Sequence, residues 1–149
     1  MTKYLFFIHG YNSNSKKTWG DFPKFLDESK NVPYLVDFLS YKSPPKIRFW
    51  ESAPSLFNIA EGMITKLGNK CDLENDEIVL VGHSNGGIVI KKILQRLSLR
   101  RVAHNITKVC FIDVPHHGSG FATIGKLVNP RNQHVGSLKI NSTDLLEIN

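Results

Sequence analysis

Ile78-Val79-Leu80-Val81-Gly82-His83-Ser84-Asn85-Gly86-Gly87-Ile88-Val89-Ile90 stands near the middle of the 149-residue chain and joins two hydrophobic patterns. Ile78 to Val81 is a short, wholly apolar run, which suits a strand buried on both faces. Beyond Gly87 the spacing changes: Ile88, Ile93, Leu94 and Leu97 mark the buried side of an amphipathic helix. Between the two lies Gly82-x-Ser84-x-Gly86, a pattern that is common in turns but specific when a strand precedes it and a helix follows. The bend must be tight, and a side chain at either flanking glycine would crowd it. The serine Oγ then projects from the C-terminal edge of the strand, facing the positive end of the helix. Ser84 is therefore the candidate nucleophile, and the Asn85 N–H is a candidate donor to an oxyanion. His83 reads as a packing residue, since neighbours in a sharp turn point apart.

Outward from this stretch, strands and helices alternate. Lys3 to Ile8 reads as a buried strand that ends in His9-Gly10-Tyr11. Gly10 permits close backbone approach, which makes the Tyr11 N–H the second candidate oxyanion donor. Residues 20 to 30, with Phe22, Phe25 and Leu26, suit a short helix, and Tyr34 to Leu39 a second strand that Ser43-Pro44-Pro45 closes as a loop. From Ala53 to Leu67, the residues Leu56, Ile59, Ala60, Met63, Ile64 and Leu67 share one helical face, with Pro54 placed in the first turn. Ile78 to Val81 is the third strand and Ile106 to Ile112 the fourth. After Gly118 only short helical pieces are expected, around 120–127 and 142–148. This order predicts an α/β fold, a mostly parallel sheet with helices on both faces.

Composition sets the outer bounds. With 149 residues, 41% hydrophobic and 21% charged, the chain has the makeup of one globular domain rather than a disordered segment. No apolar run approaches the roughly 20 residues of a spanning helix, and Tyr4 to Ile8 is too short for a signal segment. The net charge of +6 has one local concentration: Lys92, Arg96 and Arg100 recur every four residues and are expected to form a solvated stripe. Such a stripe would also support weak attraction to an anionic membrane surface. The motifs and interleaved aromatics of nucleic-acid binding are missing, so no nucleic-acid partner is expected. Cys71 and Cys110 lack CxxC spacing, and Cys110, within Val109-Cys110-Phe111-Ile112, reads as a small core residue. A reduced, cytoplasmic location is the expectation. The adjacent His116 and His117 lack metal-ligand spacing, so no metal site is expected.

Three segments in order, His9-Gly10 with Thr18-Trp19, then Val81-Gly82-His83-Ser84-Asn85-Gly86-Gly87, then Val114-Pro115-His116-His117-Gly118-Ser119, resemble the lipase-like serine esterases of the α/β-hydrolase class. The branch they resemble is that of the GPI inositol-deacylases and related lipid esterases, which also matches Ser142, Leu145, Leu146 and Asn149. The resemblance implies the N-terminal part of an α/β-hydrolase fold, an acyl ester or lipid substrate, and neither metal nor organic cofactor. It assigns Ser84 as nucleophile and the Tyr11 and Asn85 amides as the oxyanion hole. At position 85 the family often has a larger apolar residue, but the backbone N–H is independent of that change. In the family the acid and histidine lie on later strands beyond a lid region. Residues 1–149 are accordingly expected to be a single domain that stops short of them, with 118–149 resembling the start of the lid. Within the chain, the order Ser84, Asp113, then His117 or His134 is formally available for acid and base. The alternative expectation is a hydrolase-like module without turnover, self-associating through the exposed edge of the fourth strand.

Overall fold

The computed structural model describes residues 1–11, 13–29, 31–41 and 54–116. The elements run β1 (Lys3–Ile8), α1 (Ser15–Trp19), α2 (Phe22–Glu28), β2 (Leu35–Leu39), α3 (Leu56–Lys70), β3 (Glu77–His83), α4 (Asn85–Leu99) and β4 (Ile106–Ile112). The four strands form one sheet in the order β2-β1-β3-β4, and every pairing is parallel. This is the α/β architecture expected from the alternating pattern, with the first and fourth strands at the predicted residues.

Side chains alternate across a strand, so β1 feeds two cores. Phe6 and Ile8 join Ile78 and Leu80 under α3 and α4, against Ile59, Met63, Leu67, Ile88, Ile93 and Leu97. Phe7 points the other way, toward Val81 and Trp19, with Leu26, Val36 and Phe38 packed around them. The Phe7 and Trp19 rings meet edge to face, with centroids 4.8 Å apart. Helices therefore cover both faces. The chain leaves β1 for β2 on one side of the sheet and returns over β1 to β3 through α3; two right-handed crossovers in opposite directions must use opposite faces.

Several local expectations change in the structure. The helical segment at 20–30 is α2 alone, and a separate turn of helix, α1, precedes it, capped by the Asn14 side chain accepting from the Lys17 N–H at 2.9 Å. Pro54 lies ahead of α3 rather than in its first turn. Ser55 is the cap, its hydroxyl accepting the Asn58 N–H at 3.2 Å, which satisfies a donor the helix start leaves unpaired. Cys110 is exposed, not core, because β4 is an edge strand among the described residues. Cys71 is the buried thiol; burial pushes its pKa up to about 11.

The Lys92–Arg96–Arg100 stripe is solvated only at its Arg100 end. Lys92 is buried, and Arg96 and Arg100 both pair with Glu61 of α3 at 2.7 and 2.5 Å. Arg96 also lies over the Phe57 ring, 4.5 Å from its centroid. The Arg96 hydrogen bond leads the interactions that hold the Glu61 carboxyl below its usual range. The four-residue spacing faces a neighbouring helix, and long basic side chains cover apolar surface with their stems. The two arginines are thus engaged by Glu61, and the stripe lends no support to membrane-surface attraction. Among the described residues no helix is long and apolar enough to cross a membrane. Ser43-Pro44-Pro45 and the pieces expected around 120–127 and 142–148, like the whole of 118–149, lie outside the described residues.

Candidate active site

In a sheet ordered β2-β1-β3-β4 the connections diverge between β1 and β3. The chain leaves β1 toward β2 and leaves β3 toward β4. Such a switch point opens a crevice at the C-terminal ends of the two strands. The residues that meet there are Gly10 and Tyr11 after β1, His83 at the end of β3 and Ser84 directly after it.

Ser84 sits where β3 turns into α4, with φ 52° and ψ −124°. An L-residue pays for this conformation, and it is the shape a tight strand-to-helix bend demands. Two hydrogen bonds hold the bend. The Ser84 N–H donates to the Ile112 carbonyl at the end of β4 at 2.8 Å, and the Gly87 N–H returns to the Ser84 carbonyl at 3.1 Å. The flanking glycines remove the remaining obstruction. A Cβ on Gly82 would lie 2.7 Å from the Gly87 backbone, and one on Gly86 would lie 2.3 Å from the Ile8 carbonyl oxygen. The loop after β1 also comes close: a Cβ on Gly10 would be 3.1 Å from Ser84 Cβ. The expected spacing of glycines around Ser84 thus reflects backbone packed against backbone.

The loop after β1 is held by His9, which is 1% exposed. Its Nδ1 bonds the Gly10 carbonyl at 2.9 Å, and its Nε2 faces the Tyr41 N–H at 3.3 Å. A carbonyl only accepts and an N–H only donates, so His9 is the neutral Nδ1–H tautomer. Burial is the leading reason that its pKa falls below 6.5, and Lys66 on α3 pushes in the same direction. The linkage has a definite sign. Unfolded His9 gains its proton as pH falls through about 6.5 and folded His9 resists, so its contribution to stability is whole above pH 6.5 and declines below it. Urea midpoints are expected to drop from pH 7.5 to pH 5, and His9→Asn, which keeps a short donor but cannot titrate, should flatten that slope.

His83 behaves as a packing residue. Its ring meets Trp19 edge-on with centroids 6.1 Å apart, and its Nδ1 has no hydrogen-bond partner among the described residues. Asp113 follows β4 with φ 50° and is exposed. The Ser84–Ile112 bond ties its strand end to the bend, and no histidine bonds its side chain among the described residues. His116 lies edge-on to Phe111 at 5.3 Å. His117 and His134 lie outside the described residues. Ser84, Tyr11 and Asn85 thus stand at the C-terminal ends of the adjacent strands β1 and β3, with Asp113 at the end of β4. Among the described residues no three His, Cys, Asp or Glu side chains cluster to hold a metal ion.

Comparison with known proteins gives the same architecture. No protein-family model matches the chain. It is similar to protein SERAC1 of Mus musculus, 29% identical over 149 aligned positions that cover 79% of this chain and 22% of the relative. Among solved structures it superposes on phospholipase PlaB from Legionella pneumophila with a TM-score of 0.72 at 17% identity, covering 99% of this chain and 33% of that one. It superposes on the mature lipase BlEst2 from Bacillus licheniformis with a TM-score of 0.59 at 18% identity, covering 97% of this chain and 62% of that one. The fold is that of the N-terminal part of an α/β-hydrolase. The chain spans about a fifth of the curated relative and a third of the PlaB chain.

Two side chains of this candidate site were not legible in its motifs. Tyr41 follows β2, stacks on His9 with centroids 4.5 Å apart, and receives a 3.0 Å hydrogen bond from the Asn85 amide group. Asn85 is 1% exposed, so its side chain matters as well as its backbone. A polar residue straight after the motif serine was the one available signal; nothing in the sequence around Tyr41 marks it.

Proposed function

We propose that this chain carries the nucleophile of a serine hydrolase acting on carboxylic esters, with lipid esters as the substrate class. The observation that carries this reading is Ser84 itself. It occupies a costly backbone conformation at the sheet's switch point, with the end of β1 in contact and the N-terminus of α4 behind it. Strain of this kind is retained where a site needs it. The structural relatives, a phospholipase and a lipase, support an ester substrate.

In the proposed reaction Ser84 Oγ attacks the ester carbonyl carbon while a base takes its proton. The carbonyl oxygen becomes an oxyanion, held by the Tyr11 and Asn85 backbone N–H groups. Collapse expels the alcohol, which takes a proton from the base, and leaves an acyl-serine. Water attacks that ester, releasing the carboxylic acid and restoring Ser84. His117 is the candidate base and Asp113 the acid behind it, in the chain order of the fold.

A fluorophosphonate probe tests the nucleophile directly. Folded wild-type chain is expected to be labelled on Ser84, and Ser84→Ala to lose all labelling, as read by intact mass and peptide mapping. Folded wild type that stays unlabelled would overturn the proposal.

A further inference from the structure

The two proposed oxyanion donors, the Tyr11 and Asn85 amides, belong to separate segments of the chain, and a continuous line of contacts joins them. The Gly10 carbonyl accepts from His9 Nδ1 at 2.9 Å. In a trans peptide the C=O and the following N–H point in opposite directions, so this bond turns the Tyr11 N–H away from the His9 ring. His9 Nε2 accepts the Tyr41 N–H at 3.3 Å, and the two rings stack with 16° between their planes. The Tyr41 hydroxyl then accepts from Asn85 Nδ2 at 3.0 Å, and Asn85 is the first residue of α4. His9 and Asn85 are each 1% exposed.

We propose that Tyr41 is a positioning residue of this site: stacked on His9 and bonded to Asn85, it braces the two backbone segments whose N–H groups converge beside Ser84. The inference rests on the Ser84 reading and adds a residue to it. Packing alone would be served by an apolar side chain at 85. The Asn85–Tyr41 bond is directional instead, and in a buried setting it cannot be exchanged for water without cost. The line ends at both amides, so a shift at one end is transmitted toward the other through the stack and the hydrogen bonds.

Tyr41→Phe keeps the ring on His9 and deletes only the hydroxyl. The second-order rate constant for fluorophosphonate labelling of Ser84 is expected to fall about tenfold, the scale of one lost hydrogen bond. In the unlabelled protein the same change should move the ¹H–¹⁵N resonances of both the Asn85 and the Tyr11 amides. Asn85→Ala should slow labelling comparably, and the double variant should be no slower than the worse single one, as for two ends of one interaction. Tyr34→Phe is the control. It deletes a hydroxyl bonded to Glu77 at 2.8 Å, at the start of β3, and should change neither readout. A Tyr11 amide that does not move, or a wild-type labelling rate in Tyr41→Phe, overturns the brace. Wild type that resists labelling would overturn the Ser84 nucleophile instead, and the Tyr11 amide would still decide the brace.

Discussion

Gly86→Ala is expected to prevent native folding. The added methyl would sit 2.3 Å from the Ile8 carbonyl oxygen, 2.7 Å from that of His9 and 2.9 Å from the Ile8 carbonyl carbon. All three are backbone atoms at or directly after the end of β1, the strand that pairs with both β2 and β3. A flexible side chain could swing away, but a central strand cannot move without disturbing two ladders and the cores on both faces. Overpacking against side chains typically costs about 1–3 kcal/mol. Against fixed backbone we expect more than about 4 kcal/mol, a large share of the 5–15 kcal/mol that holds a typical domain together. Circular dichroism and urea titration would show a chain that is unfolded, or that unfolds at far lower urea. Gly62→Ala provides the contrast within α3. Nothing lies within 4 Å of its added methyl, and replacing an exposed helical glycine should stabilise by about 0.5–1 kcal/mol. Equal effects at the two glycines would rule out steric contact as the reason for Gly86.

The second large effect separates strain from chemistry at Ser84. With φ 52° and ψ −124°, the residue occupies backbone space that glycine enters freely and other residues enter at a cost of about 1–3 kcal/mol. Ser84→Gly should therefore raise stability, by about 1 kcal/mol after the greater freedom of unfolded glycine is deducted. For a domain of this size that is a melting temperature higher by roughly 2–4 °C. Labelling by the fluorophosphonate should vanish. Ser84→Ala keeps a Cβ in the same conformation, so it should lose labelling with no such gain. A Ser84→Gly variant that is labelled elsewhere at the wild-type rate would place the nucleophile at another residue. One that is no more stable than Ser84→Ala would mean the bend is not strained.

Much of this fold was legible before any coordinates. β1 and β4 fall on the expected residues because their apolar runs are bounded by polar or glycine-rich stretches. The Gly82–Gly86 spacing was informative because it encodes a steric demand, which the Ile8 and Gly87 backbones impose. Other features escaped for physical reasons. The spacing of Lys92, Arg96 and Arg100 shows that they share a helix face, but not whether water or Glu61 of α3 lies opposite. Cys110 sits in an apolar run, yet a run reports strand propensity and not the strand's place in the sheet. Pro54 and Ser55 both suit a helix start, and the hydrogen bond to the Asn58 N–H decided between them.

Local pattern along the chain was enough to determine that strands alternate with helices, that the sheet is parallel, and that Ser84 stands at a strand-to-helix bend. Each of these depends on residues within a few positions of one another. Only the tertiary structure decided that β3 lies beside β1, because strand order comes from which surfaces bury best against α3, α4 and Trp19. That order brings Gly10 against Ser84, and with it the line from His9 through Tyr41 to Asn85. A stack and a hydrogen bond between residues far apart in sequence leave no periodic trace, and they exist because folding excludes water from the space the three side chains share.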